Sequence, residues 1–267
     1  MPFKALNSYN QIVQADECGV SDKGKAFRCI TQDCRAIMSL VHAGDPENAF
    51  FRRRPSSAPH ISVDCVRCGM VFNQHKYVEN LFSKENMFSY ILSTPGKSKH
   101  SGTTGTKRIS TAPRSAAKTL RTMYEILCEK GITSDYNGVP LGSIFATYEN
   151  YNDYRDKLIG KYIVEASFYY KPYNESFLIF NYPYDYKEEH IYLKVNMPDN
   201  NKAMDYYNRF RNKAHTDVIV LCGDWRESNH VFYTKVFNKD KNETEQIERH
   251  ISFECDYISG RQIYDPS

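Results

Sequence analysis

Between Asn86 and Tyr124 the chain has no acidic residue, and nowhere does it carry the roughly 18 consecutive apolar residues that a membrane-spanning helix requires. Its first residues hold a lone lysine with no apolar stretch behind it, so a secretory leader is not expected and the protein is read as cytoplasmic, with no membrane contact. Nucleotide and hydrolase signatures are missing too. Gly96-Lys97-Ser98 lacks the earlier glycine of a phosphate loop, because Ile91 stands at that position. There is no His-Glu-x2-His helix, no Gly-x-Ser-x-Gly elbow and no Gly-x-Gly-x2-Gly turn, which removes the commonest zinc protease, serine hydrolase and dinucleotide enzymes. Eight cysteines in 267 residues are too few for a disulfide scaffold.

Four of those cysteines cluster between Cys29 and Cys68, and with His60 they are spaced as two halves of a metal site. Cys29 and Cys34 form one pair on a short turn, and His60 and Cys65 form the other. The segment between them is long enough to fold back and close a tetrahedron, and Ala49 to Arg53 reads as a strand leading to His60. Cys65-Val66-Arg67-Cys68-Gly69 is itself a knuckle, so Cys68 is an alternate fourth ligand to His60. Four soft or imidazole donors suit a closed, structural Zn2+ with no open catalytic position.

The fold class expected is α+β in four parts. A small zinc-binding module spans 1–85, a flexible basic linker 86–114, a helical connector 115–160 and a β domain 161–267. The linker is rich in Gly, Ser and Thr, and its cations Lys97, Lys99, Lys107, Arg108 and Arg114 suit phosphate-backbone contacts. A plain solvated tether is the alternative. Helical spacing of Ala116, Leu120, Met123 and Leu127, stopped at Gly131, predicts a helix over 115–130. Asn137-Gly138 predicts a turn, and Tyr148, Tyr151 and Tyr154 a short aromatic helix.

From Lys161 the pattern becomes strand, strand, strand, helix, strand, strand: about 161–171, 176–182 and 190–197, then a helix over 200–213, then 217–222 and 230–238, with a possible last strand through Ile251, Phe253 and Cys255. Five strands with a helix between the third and fourth match an OB-like barrel, a fold that often binds single-stranded nucleic acid on its outer face. Most of the 21 tyrosines lie in this half. Tyr169, Tyr182 and the lone Trp225 are candidate stacking rings, with Lys194 and Arg226 as nearby cations. Packing in the core is the competing fate of each ring, and a lid over one end of the barrel that of Trp225. Asp153, Asp156 and Glu165 fall loosely like nuclease carboxylates, but Ser167 stands where the accompanying lysine belongs.

The run Ala26-Phe27-Arg28-Cys29 to Cys34-Arg35-Ala36-Ile37-Met38, then Ala49-Phe50-Phe51-Arg52, then Pro59-His60 to Cys65, resembles the N-terminal zinc module of competence CoiA-like proteins and related bacterial proteins. The resemblance covers about a fifth of the chain. It implies Cys29, Cys34, His60 and Cys65 as zinc ligands, a bacterial or phage origin and an association with DNA handling. The acidic motif of the CoiA nuclease-like domain is absent from this sequence. The function expected is therefore a zinc-containing protein that binds single-stranded DNA or RNA with little sequence preference. The alternatives are an adaptor docking on a protein partner through its tyrosines, and a metal-dependent nuclease.

Overall fold

The computed structural model describes residues 4–45, 49–58, 60–61, 65, 81–94, 116–183, 191–213, 217–238 and 243–266. The N-terminal part is a five-stranded antiparallel sheet of β1 (Lys4–Leu6), β2 (Ile12–Gln14), β3 (Phe27–Arg28), β4 (Ile37–Val41) and β5 (Phe50–Arg53), ordered β2-β1-β3-β4-β5. Alternation sends Ala5, Phe27, Met38, Leu40 and Phe51 to one face, where they form a small core with Cys29, Cys34 and Cys65.

Helix α1 (Lys84–Ile91) follows, capped by the Ser83 hydroxyl, which accepts from the Asn86 amide at 3.3 Å. This corrects the expected linker. Residues 86–94 belong to helix α1 and its C-terminal end, and Phe82, Met87, Phe88 and Ile91 are buried in the core of the C-terminal half. The predicted boundary at 85 therefore cuts a helix, because Met87, Phe88 and Ile91 give the stretch an apolar side despite its lack of acids. Residues 95–114 lie outside the described residues. Helix α2 (Leu120–Lys130) starts later than expected, at a Thr119 cap, and ends as expected at Gly131, whose φ is +82°.

Strands β6 (Asp135–Tyr136) and β7 (Val139–Pro140) flank the Asn137-Gly138 turn, whose residues both have positive φ (52° and 72°) as a tight hairpin requires. Next come β8 (Phe145–Ala146) and the one-turn helix α3 (Tyr151–Tyr154).

The C-terminal half is built on β9 (Gly160–Tyr170), β10 (Phe177–Tyr182), β11 (Ile191–Asn196), helix α4 (Asn200–Phe210), β12 (Val218–Glu227), β13 (Val231–Asn238), β14 (Glu243–Asp256) and β15 (Ile263–Tyr264). Its eight-stranded sheet runs β13-β14-β11-β10-β9-β12-β15, with β8 beside β9, so the expected count of five strands is too low. The strand at 230–238 is an edge arm of the sheet. Strand β14 lies parallel to β11 and also pairs with β12 at Arg226↔Glu254 and Glu227↔Phe253. Pairing of β11 with a strand some 60 residues away leaves no local mark in the sequence, which is why alternation alone did not place it.

Strands β9 and β12 are buried on both faces. Ile163, Val218, Val220 and Cys222 pack against α1 and α2, whereas Val164, Ala166, Ile219 and Leu221 pack toward α4 through Ala203, Tyr206 and Phe210. The chain end closes over α1: Ser259 Oγ donates to the Ile91 carbonyl at 3.1 Å and Arg261 Nη1 to the Tyr90 carbonyl at 3.0 Å. Buried Gln262 donates to the Cys222 and Asp256 carbonyls. Among the described residues an ion pair links the N-terminal sheet to the C-terminal one, from the partly buried Arg53 Nη2 at the end of β5 to the buried Asp217 Oδ2 just before β12, at 3.3 Å. No helix among the described residues is long and apolar enough to cross a membrane.

Candidate metal centre

Cys29 stands directly after β3, and its amide donates to the Ala36 carbonyl, closing the loop that returns to β4. Within that loop the Thr31 amide points at Cys29 Sγ at 3.5 Å, and the Cys34 amide donates to the Thr31 carbonyl. Asp33 takes φ +63°, a left-handed position that a short polar side chain tolerates. His60 arrives from the other side, on the loop after β5. That loop is pinned to β4: the Ile37 amide donates to Ser57 Oγ at 2.6 Å, the Arg54 amide to the Ile37 carbonyl, and Arg53 Nη1 to the Ser57 carbonyl.

The result is one compact group. The ligand atoms of Cys29, Cys34, His60 and Cys65 all lie within 4.8 Å of one another, and all four residues are buried. Cys34 Sγ and His60 Nδ1 stand 3.6 Å apart. A tetrahedral zinc with bonds of about 2.3 Å to sulfur and 2.0–2.1 Å to nitrogen separates such a pair by about 3.6 Å, so this edge already has the required length. Without a cation, hydrogen bonding to Cys65 and burial push the Cys29 thiol up. A bound cation reverses that direction, since it holds the thiolate outright. Among the described residues this is the one group of three or more His, Cys, Asp or Glu side chains that converges in this way. The expected quartet is therefore assembled as a metal-compatible site, and the alternate ligand Cys68 lies outside the described residues.

The nucleic-acid candidates fare differently. Lys97, Lys99, Lys107, Arg108 and Arg114 lie outside the described residues. Tyr182 is fully buried and donates to the Thr147 carbonyl at 3.1 Å. Trp225 is in strand β12 rather than in a loop, is 1% exposed, and donates from Nε1 to the Tyr162 carbonyl at 3.3 Å. Neither ring has a face free for a base. Tyr169 packs on the rings of Tyr192 and Phe232, and buried Lys194 is bonded to Glu254 at 3.1 Å and lies over the Phe177 ring. For Tyr169 packing is the outcome, because the hairpin arm β13 carries Phe232 over that face of the sheet.

Arg226 is half-exposed, and its guanidinium is held by Glu254 and Asp256 at 2.9 Å each. Arg226 keeps the Asp256 carboxyl below its usual range, and the Glu254 carboxyl is also low: burial pushes it up, but Lys194 and Arg226 outweigh that. A carboxyl depressed on folding contributes stability above its unfolded pKa of about 4 and loses it as pH falls through the lower folded value. In Arg226→Ala the folded values rise toward the unfolded ones. The urea midpoint is then expected to fall less between pH 7 and pH 3 than in the wild type, which paired denaturation curves measure.

The nuclease carboxylates do not meet. Glu165 is fully buried and accepts from the Tyr124 hydroxyl at 2.7 Å, whereas Asp153 and Asp156 are exposed. What sequence reasoning passed over are Arg28 and Arg35, which flank the first ligand pair. Their adjacency to Cys29 and Cys34 was the available signal. No family model, curated protein or solved structure matches this chain.

Proposed function

We propose that the protein is a zinc-built nucleic-acid-binding protein that takes single-stranded DNA or RNA with little sequence preference. The convergence of three thiols and an imidazole within 4.8 Å of one another, with the Cys34–His60 edge at 3.6 Å, carries the zinc part of this reading. The ion is structural, since four protein donors leave no position for substrate or water.

Strand order supports an OB-like C-terminal unit. β9, β10 and β11 are consecutive antiparallel neighbours, and β12 returns after helix α4 to lie antiparallel to β9, which is a Greek key. β14 then fills the place between β11 and β12. Sheets of this order bind oligonucleotides through a face and the flanking loops, and because β13 covers that face here the contribution falls to the loops. The CoiA-like resemblance of residues 26–65 points the same way, toward DNA handling, and the basic stretch from Lys97 to Arg114 supplies further phosphate partners.

Fluorescence anisotropy of a labelled single strand of about 30 nucleotides, enough for one or two OB-type sites, tests the proposal. Binding is expected at low salt, with log K falling by about 0.7 per phosphate contact for each decade of salt, DNA and RNA alike. No binding of either at micromolar protein overturns it and favours the protein-binding adaptor.

A further inference from the structure

We infer that the open face of the N-terminal sheet, beside the metal knuckle, is the surface that holds the single strand. This rests on the nucleic-acid reading above and assigns it a site. The five strands β1 to β5 contain four cations and no carboxylate. Cross-strand register sorts them by face. Arg53 lies opposite Met38 and points to the packed side, where it meets Asp217. Arg28 lies opposite Leu6 and Ile37, Arg52 opposite Ser39, and Lys4 opposite Gln14, all on the other side.

Arg28, Arg52 and the neighbouring Arg35 are exposed, and among the described residues none makes a hydrogen bond or ion pair. Other cations of the protein are engaged, as Lys25 is by Asp22, Arg121 by Glu125 and Arg54 by Ser39 and the Gly24 and Lys25 carbonyls. Holding three free guanidinium groups on one small sheet costs mutual repulsion, and a polyanion relieves it. The opposing charge nearby is Asp33, Glu17, which accepts from Gln14 opposite Lys4, and the single net negative charge of a zinc bound by three thiolates, which Lys4, Arg28, Arg35 and Arg52 outweigh.

Arg28 and Arg35 line one cleft of about 540 Å³, together with Leu6, Asn10, Thr31 and Ile37. Tyr9, on the β1–β2 turn next to Asn10, is 80% exposed. An open aromatic ring one residue along the chain from the lining residue Asn10 suits an unpaired base whose phosphate lies in the cationic cleft. A duplex keeps its bases stacked inside and offers nothing to Tyr9 or to the apolar floor of Leu6 and Ile37.

The experiment uses the zinc-loaded full chain and the same labelled strand, with an unlabelled duplex as competitor. Replacing Arg28, Arg35 and Arg52 together by Ala is expected to weaken binding at low salt at least tenfold and to flatten the slope of log K against log salt by about 2, at 0.7 per lost phosphate contact. Tyr9→Ala weakens binding about tenfold without changing the slope. The duplex competes poorly. If the wild type binds and the triple variant keeps both affinity and slope, the strand lies elsewhere and this inference fails. If the wild type does not bind, the nucleic-acid reading itself fails. Should the triple variant lose its zinc, single Arg→Gln replacements decide in its place, each expected to remove about 0.7 of slope.

Discussion

Removing a metal held by Cys29, Cys34, His60 and Cys65 is expected to unfold β1 to β5 and leave the C-terminal sheet standing. The N-terminal strands are only two to five residues long, and their core is a dozen mostly small side chains, several of them the ligands themselves. A unit of about 60 residues is marginal on hydrophobic burial alone, whereas structural zinc supplies on the order of 10 kcal/mol. Chelation, Cys34→Ser and His60→Ala are each expected to abolish the cooperative stability of the module. Hydrogen exchange should lose protection over β1 to β5 and keep it over β9 to β12, while mass measurement finds one zinc per wild-type chain and none in the variants. Cys68→Ala keeps its zinc if His60 is the fourth ligand. Protection of β4 surviving complete chelation would refute a structural role for the ion.

Trp225→Ala is the costliest single replacement expected in the C-terminal half, at about 3–5 kcal/mol. The indole sits opposite Gly160 across the β9–β12 pair, buried among Leu158, Val164 and Phe253. Its neighbour Gly223 has no room for a side chain, since a Cβ there would lie 2.7 Å from Cys255 Sγ and 3.0 Å from Trp225 Cε2. The protein packs this spot without slack, so a cavity left by the indole cannot collapse. Urea unfolding followed by circular dichroism reads the loss directly. A ring serving as a nucleic-acid stacking anchor predicts the opposite pattern, stability unchanged and affinity lost. The native emission of the lone tryptophan should be that of a dry site, and should stay so when oligonucleotide is added.

Much of this was legible beforehand. The strands β9, β10, β11 and β12 announced themselves through alternation or apolar runs. Helix α4 was visible in Ala203, Tyr206 and Phe210 with its Asp199 cap, whose carboxylate accepts from the Lys202 amide at 2.7 Å. The metal quartet was legible because ligand spacing within a turn is a local constraint. What escaped was set at long range. A tyrosine on a strand covered on one face looks, in one dimension, like one covered on both. Every residue of β10 is buried, and Tyr182 with them. Trp225, after the strand expected to end at 222, was legible as a loop residue, but β12 continues through Gly223, whose missing side chain lets Cys255 approach. The cationic face of the first sheet was hidden because its arginines are scattered in sequence and gather only when β3, β4 and β5 pair.

The clasp at the chain end bears on the order in which the molecule is made. Helix α1 waits for Ser259 and Arg261, partners 168 and 171 residues later, and β12 waits for β15. On the ribosome, synthesis at roughly 5–20 residues per second keeps Phe82, Phe88 and Ile91 exposed for several seconds or more before those residues emerge. The N-terminal sheet is paired within residues 4–53 and meets the later chain at Arg53–Asp217, so its strands can pair during that interval. Birth of the protein is thus two-stage: a head whose strands pair locally first, then a late closing of the helix α1 core behind it.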